Sequence, residues 1–225
     1  MSTVTQRPRV VSLKQDLIAS IADEILHNYS RGRVIIAVDG MDGAGKTVFA
    51  DALAAELGRG HRAVFRASMD DFHQPRARRY ARGEDSPEGF YRDSYDYPTF
   101  RRVLTEPFRT GWIGSFVLQA FDLKRDVPFE PKWSSGPADA MLIVDGMFLN
   151  RPELRGIWNY SIWLEVDRKV AEARMLERDG KSANPKRYSG GQKLYLKEAK
   201  PREAATAIVD NNDYEHPRRI FADSC

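Results

Sequence analysis

The 225-residue chain has a single cysteine, Cys225, at its last position. One thiol cannot close an internal disulfide, and a terminal thiol makes a poor nucleophile. This usage fits a reducing compartment, so a cytoplasmic location is expected. Long apolar runs are missing too. No stretch approaches the ~18 residues that span a bilayer, so no membrane partner is expected. The opening residues MSTVTQRPRV lack the apolar stretch of a secretory signal. An excess of one charge is also absent: 35 Lys and Arg stand against 32 Asp and Glu, a net charge of +3. That balance does not by itself mark a nucleic-acid binder. Repeats and low-complexity segments are absent. His73 and His216 have no cysteine or histidine partner at ligand spacing, which argues against a zinc site.

What is present is ordinary globular composition, 42% hydrophobic and 30% charged. The length suits one α/β domain, residues 1–225, with an insertion or two. Ser12-Leu13-Lys14-Gln15 reads as a capping box, followed by Leu13, Leu17, Ile18, Ile21 and Ile25 at helical spacing. An N-terminal helix ending near Tyr29 is predicted, in an extension covering residues 1–30. Five short apolar runs read as buried strands: 34–38, 63–66, 141–144, 162–166 and 207–209. Several lack alternation, as strands covered on both faces do. Helical stretches at 46–57, 98–110 and 168–178 separate most of them. The alternation predicts a five-stranded parallel sheet flanked by helices. A long interval rich in Arg, Tyr, Asp and Pro, within residues 70–135, reads as a binding insertion. Residues 115–121 read as an extra strand.

One stretch carries specific chemistry. Gly40-Met41-Asp42-Gly43-Ala44-Gly45-Lys46-Thr47 fits G-x-x-x-x-G-K-[ST], after a strand and before a helix. In that context glycines let backbone N–H groups converge on phosphate oxygens, and the helix N-terminus adds positive potential. Lys46 is expected at the β- and γ-phosphates, and the Thr47 hydroxyl at magnesium. ATP and Mg2+ are therefore the expected cofactors. No Asn-Lys-x-Asp stretch is present to read guanine. Asp145 ends a buried strand and is followed by Gly146, not by a water-activating glutamate. It reads either as a magnesium ligand, direct or through water, or as a turn former. The pair in SMDDFH, Asp70 and Asp71, follows the second strand on the ligand-binding edge of a parallel sheet. Either can orient an acceptor hydroxyl and take its proton. RARRYARG, residues 76–83, sets arginines beside Tyr80, but Glu84, Asp85 and Glu88 follow at once. No nucleic-acid partner is expected.

With GMDGAGKT, SMDDFH, FYRDSYDYP, MLIVDGMFL and VDRKVAEARMLERDG in view, residues 34–212 resemble the uridine kinase family of P-loop phosphotransferases. That group also resembles phosphoribulokinase and bacterial pantothenate kinase. The resemblance implies a P-loop NTPase fold with a small insertion and a lid at residues 168–190. It implies a nucleotide-binding loop of Gly40, Asp42, Gly43, Ala44, Gly45, Lys46 and Thr47. Asp70 would be the catalytic base, and Thr47, Asp70 and Asp145 the magnesium set. Lys46, Arg174 and Arg178 would act on the transferring phosphoryl group, the two arginines lying on one helix face. Asp71, Tyr91, Asp96, Phe121 and Arg187 are the expected acceptor contacts.

One segment departs from the family pattern. Gln119-Ala120-Phe121-Asp122-Leu123 stands where pyrimidine nucleoside kinases carry Pro-x-Tyr-Asp-Phe, and Asp126 stands in place of a following histidine. A pocket without its polar partners discriminates poorly for that base. The expected partner is a small-molecule alcohol: a nucleoside, sugar, glycerate, pantothenate or related compound. A homo-oligomer is left open. So is a nucleotide-binding regulator that transfers nothing.

Overall fold

The computed structural model describes residues 13–60, 62–110, 114–180 and 185–221. Ser12 of the predicted capping box and Cys225 lie outside them. The first helix, α1, spans Leu13–Asn28 and buries Ile18, Ile21, Ala22 and Ile25, the face its spacing predicts.

The central sheet has the order β6-β5-β4-β1-β3-β2. Its strands are β1 (Val34–Gly40), β2 (Val64–Ser68), β3 (Met141–Gly146), β4 (Tyr160–Glu165), β5 (Ala207–Asp210) and β6 (Arg218–Ile220). The first five are mutually parallel and correspond to the five predicted runs. The expected five-stranded sheet gains β6, a short antiparallel edge strand paired with β5. Its sequence, Arg-Arg-Ile, has no apolar run to announce it.

Each face of the sheet carries its own core, as the two-residue period of a strand requires. Val34, Ile36 and Val38 of β1 pack with α1 and with α2 (Lys46–Gly58) through Phe49, Ala50 and Leu53. Ile35 and Ala37 face the other way, into an aromatic cluster containing Phe72, Tyr91, Tyr95, Phe100, Phe148 and Tyr195. Most of those rings come from the insertion. The inserted segment is thereby built into the core of the protein.

The insertion differs in detail from its prediction. Residues 97–110 form α-helix, a π-helical turn at Arg101–Thr105, and α-helix again. The predicted extra strand at 115–121 is two short pieces. Phe116–Val117 pairs with Trp133–Ser134, and Phe121–Asp122 with Val127–Pro128. Within the insertion, α3 spans Pro87–Asp93, capped by the Ser86 hydroxyl, which accepts from Gly89 N–H. After β4 come α4 (Arg168–Asp179), ended by Gly180 at φ 66°, and α5 (Pro185–Ala199).

Candidate active site

The phosphate loop leaves β1 at the carboxyl edge of the sheet, next to the ends of β3 and β4. Gly43 and Gly45 have φ of 76° and 84°, a region side chains disfavour. Space excludes a side chain at both positions as well. A Cβ on Gly43 would lie 2.5 Å from the carbonyl oxygen of Ala171, and one on Gly45 2.4 Å from the ring of Tyr214. The loop is thus pressed between α2, α4 and the segment after β5. Lys46 Nζ donates to the Met41 carbonyl at 2.9 Å, which folds its ammonium back over the loop.

A cleft of about 410 Å³ opens above this loop. Asp42, Gly43, Gly45, Lys46, Thr47, Asp70, Asp145, Arg174 and Arg178 all line it, with Met147, Glu177 and Tyr214. Residues separated by over a hundred positions therefore meet at one surface. Gly40 and Ala44 are buried beneath it. A smaller hollow of about 210 Å³ between residues 202–208 and β6 contains none of the motif residues.

Asp145 is held by both oxygens. Oδ2 accepts from the Thr47 hydroxyl at 2.7 Å, and Oδ1 accepts from Arg66 Nη2 at 2.8 Å. Arg66 is anchored in turn on the Ile143 carbonyl and on Asp51. Among the described residues no group of three Asp, Glu, His or Cys side chains is placed to hold an ion alone. Magnesium on a nucleotide takes one or two protein oxygens and completes its shell with phosphates and water. The Thr47–Asp145 contact, at the start of α2 beside the phosphate loop, fits such a group. Thr47, Asp145 and Asp70 are the side chains that would hold it.

Asp70 is exposed to the cleft and lies at the start of the short 3-10 turn Met69–Phe72. The Tyr95 hydroxyl donates to its Oδ1 at 3.0 Å. Tyr95 is buried, and burial together with the charge of Asp70 pushes its hydroxyl well above the ordinary tyrosine range. It therefore stays a donor. The backbone oxygen of Asp70 accepts from His73 Nδ1 at 2.8 Å, and the His73 ring lies 4.6 Å from that of Tyr95. Burial pushes the His73 imidazole below its usual range, so the neutral ring carries its proton on Nδ1. Asp71 is half-buried. Burial, then the charges of Asp70 and Asp145, push its carboxyl up to about 6.

The predicted acceptor contacts come together less well. Tyr91 is a core residue, its ring 5.2 Å from Phe148 and 4.5 Å beneath the guanidinium of Arg151. Arg187 is 2% exposed and donates to the carbonyls of Arg79, Gly83 and Ser86, so it braces the insertion. Asp96 caps the turn after it, accepting from Thr99 N–H at 3.1 Å. Phe121 is buried. Asp126, which the resemblance sets in place of a base-reading histidine, is engaged within the insertion. Its carboxylate accepts from Arg76 N–H at 2.8 Å and from Arg79 Nη2 at 3.0 Å, stitching the hairpin to residues 76–79. The arginines at 76–83 are also used internally: Arg76 lies over Tyr80 and Arg82 pairs with Asp93.

Arg174 and Arg178 lie on one face of α4, but their heads diverge. Arg174 donates to the carbonyls of Asn211 and Asn212 at 2.9 Å each and sits 3.5 Å from the centre of the Tyr214 ring. It ties α4 to the segment after β5. Arg178 grips Asp179 and lies 3.6 Å from Asp42 in the phosphate loop. Sequence reasoning missed Arg66, Asp39, Gln192 and Tyr214. Tyr95 lay inside a motif that was singled out and was given no role.

No protein-family profile and no curated protein matches this chain. Solved structures do. A candidate uridine kinase from Bacillus stearothermophilus superposes with a TM-score of 0.69 at 22% identity, over 86% of this chain and 97% of that one. A candidate fructose transport system kinase from Silicibacter sp. gives 0.63 at 26% identity, over 84% and 94%. D-glycerate 3-kinase from Cryptococcus neoformans gives 0.58 at 11% identity, over 92% and 99%. The chain has the α/β fold of the uridine kinase-like P-loop kinases. Among its described residues no helix is long and apolar enough to cross a membrane.

Proposed function

We propose that the protein transfers the terminal phosphoryl group of ATP to a hydroxyl of a small polyhydroxylated alcohol. The observation that carries this reading is the position of Asp70. A carboxylate oriented by a buried tyrosine faces the same cleft as Lys46, Thr47 and Asp145. A loop that only bound nucleotide would have no use for it.

In this reading the loop N–H groups and Lys46 hold the phosphates. Magnesium, when bound, neutralises charge on the phosphate oxygens. Tyr95 holds one oxygen of Asp70, leaving the other to accept the hydroxyl proton. As that proton leaves, the acceptor oxygen bonds to the terminal phosphorus and the bond to the β-phosphate oxygen breaks, releasing ADP. Arg178, on an exposed helix face with an acidic partner, is free to exchange that partner for a phosphate oxygen. Arg174 is committed to backbone carbonyls and contributes by positioning.

The acceptor class follows from what the insertion lacks. With Asp126 turned to Arg76 and Arg79 and Phe121 buried, the polar groups that would read a pyrimidine are not supplied. A sugar or sugar-like alcohol fits better than uridine, and the likeness to a candidate fructose transport system kinase supports that choice. The test is ADP release from Mg-ATP over uridine, cytidine, fructose, other common sugars, glycerate, pantothenate and ribulose 5-phosphate. One of these non-pyrimidine alcohols should raise the rate well above the acceptor-free background. Binding of MgADP without stimulation by any of them would favour a nucleotide-binding regulator.

A further inference from the structure

Several polar groups outside the cleft converge on the phosphate loop from one helix, α5. Asp39, at the end of β1, is fully buried. Its Oδ1 accepts from Gly40 N–H at 2.8 Å. Its Oδ2 accepts from the backbone N–H of Asn150 at 3.0 Å, from that residue's side-chain amide at 2.7 Å, and from the Tyr195 hydroxyl. A buried carboxylate persists only when its lone pairs are taken up in this way. Tyr195 belongs to α5. Three residues earlier on the same helix face, Gln192 is 7% exposed and its Oε1 accepts from the backbone N–H of Asp42 at 3.0 Å. One helix face therefore holds the loop at its entry and again inside it.

The same helix grips the acceptor-side insertion. Arg187, in its first turn, donates to three carbonyls of residues 79–86 and stacks 4.3 Å from the Tyr80 ring. Gly190 and Gly191 let α3 approach closely. A Cβ on either would lie 2.6 Å from Pro87 or Phe90. Two adjacent glycines weaken a helix interior, and this contact accounts for them.

We propose that Gln192 and Tyr195 are positioning residues that fix the phosphate loop, and that through α5 the state of the loop is coupled to residues 79–91. The proposal rests on the reading above only in that the loop must bind nucleotide. Gln192, Tyr195, Asp39 and Arg187 do not line the cleft, which this chain of contacts reaches through Asp42, so their effect is on geometry and not on the chemical step.

Hydrogen exchange with MgADP as the probe tests it without knowledge of the acceptor. In the wild-type protein MgADP should protect residues 40–47 and also residues 79–91. Gln192→Met keeps length and apolar packing and removes the acceptor oxygen. It should weaken MgADP binding by ~5–30-fold, the loss of about one hydrogen bond. At saturating MgADP it should still protect 40–47 while the protection of 79–91 is lost or much reduced. Tyr195→Phe removes only a hydroxyl and should move the same readouts in the same direction, a second variant should Gln192→Met fold poorly. Wild-type protection of 40–47 without any at 79–91 would overturn the coupling. So would equal protection of 79–91 in wild type and both variants. Absence of protection at 40–47 in the wild type would overturn the nucleotide reading and this proposal together.

Discussion

The hydroxyl of Tyr95 donates to Oδ1 of Asp70 at 3.0 Å, from a ring buried in the aromatic core to a carboxylate open to the cleft. The contact takes up one carboxylate oxygen, and in the proposed reaction the other accepts the acceptor's proton. Asp70→Asn keeps the shape and removes the proton acceptor, so kcat should fall by about 10²–10⁴. Tyr95→Phe leaves the base in place but loosely held, and a smaller loss of ~10-fold is expected. Equal rates for Tyr95→Phe and wild type, measured with the acceptor found in the panel, would show that the contact orients nothing.

Lys46→Ala should abolish useful turnover with little change in melting temperature. Among the described residues its ammonium bonds to a carbonyl of its own loop, and its removal takes nothing from the core. The phosphate charge it would neutralise is then unopposed. A purified variant with wild-type turnover would contradict the loop's assignment.

Asp71 predicts a pH-dependent stability. Its folded carboxyl is pushed up to about 6, above the ~3.9 of an unfolded chain. Between those values the folded protein keeps a proton that the unfolded chain has lost. Stability therefore falls as pH rises through the window, and the penalty is complete above about 6. Asp71→Asn should melt higher than wild type at pH 8 without nucleotide, with the gap shrinking as the pH is lowered from 7 to 4.5. Equal melting temperatures at pH 8 would show that the charge carries no penalty.

The two lid arginines should separate kinetically, although the sequence treats them alike. Arg178→Ala should lower kcat more than it raises the KM for ATP, because its head can turn to a phosphate. Arg174→Ala should act mainly on KM and on stability, because its head holds Asn211, Asn212 and Tyr214 in place. Indistinguishable effects of the two substitutions would contradict this division.

These cases also mark how far the sequence could be read. The parallel strands were legible as short apolar runs: β1, β3, β4 and β5 are buried along nearly their whole length, and the edge strand β2 is only partly buried. The phosphate loop was legible because it is local: eight consecutive residues with a strand before and a helix after. Asp70 and Asp145 were legible because strand ends lie at the sheet's ligand edge. Arg66 was not, because a charged residue in an edge strand has no sequence signal for the carboxylate it holds across the strand pair. Gln192 and Tyr195 were not, because what they bond lies about 150 residues away. Arg187 is expected among the acceptor contacts and Asp126 stands in place of a histidine, and both spend their polar groups on the insertion's own backbone and arginines. β6 is short and basic, and it depends on pairing with β5 for its existence.

The central claim, transfer of phosphate to an alcohol, is tested most directly by the fate of the label in [γ-32P]ATP. The protein is incubated with magnesium and a mixture of small alcohols, and the products are separated after acid quenching. An acid-stable organic phosphomonoester carrying the label is expected, absent from parallel reactions of Asp70→Asn and of the mixture without protein. Label recovered only as inorganic phosphate, or only as unconverted ATP, would contradict it.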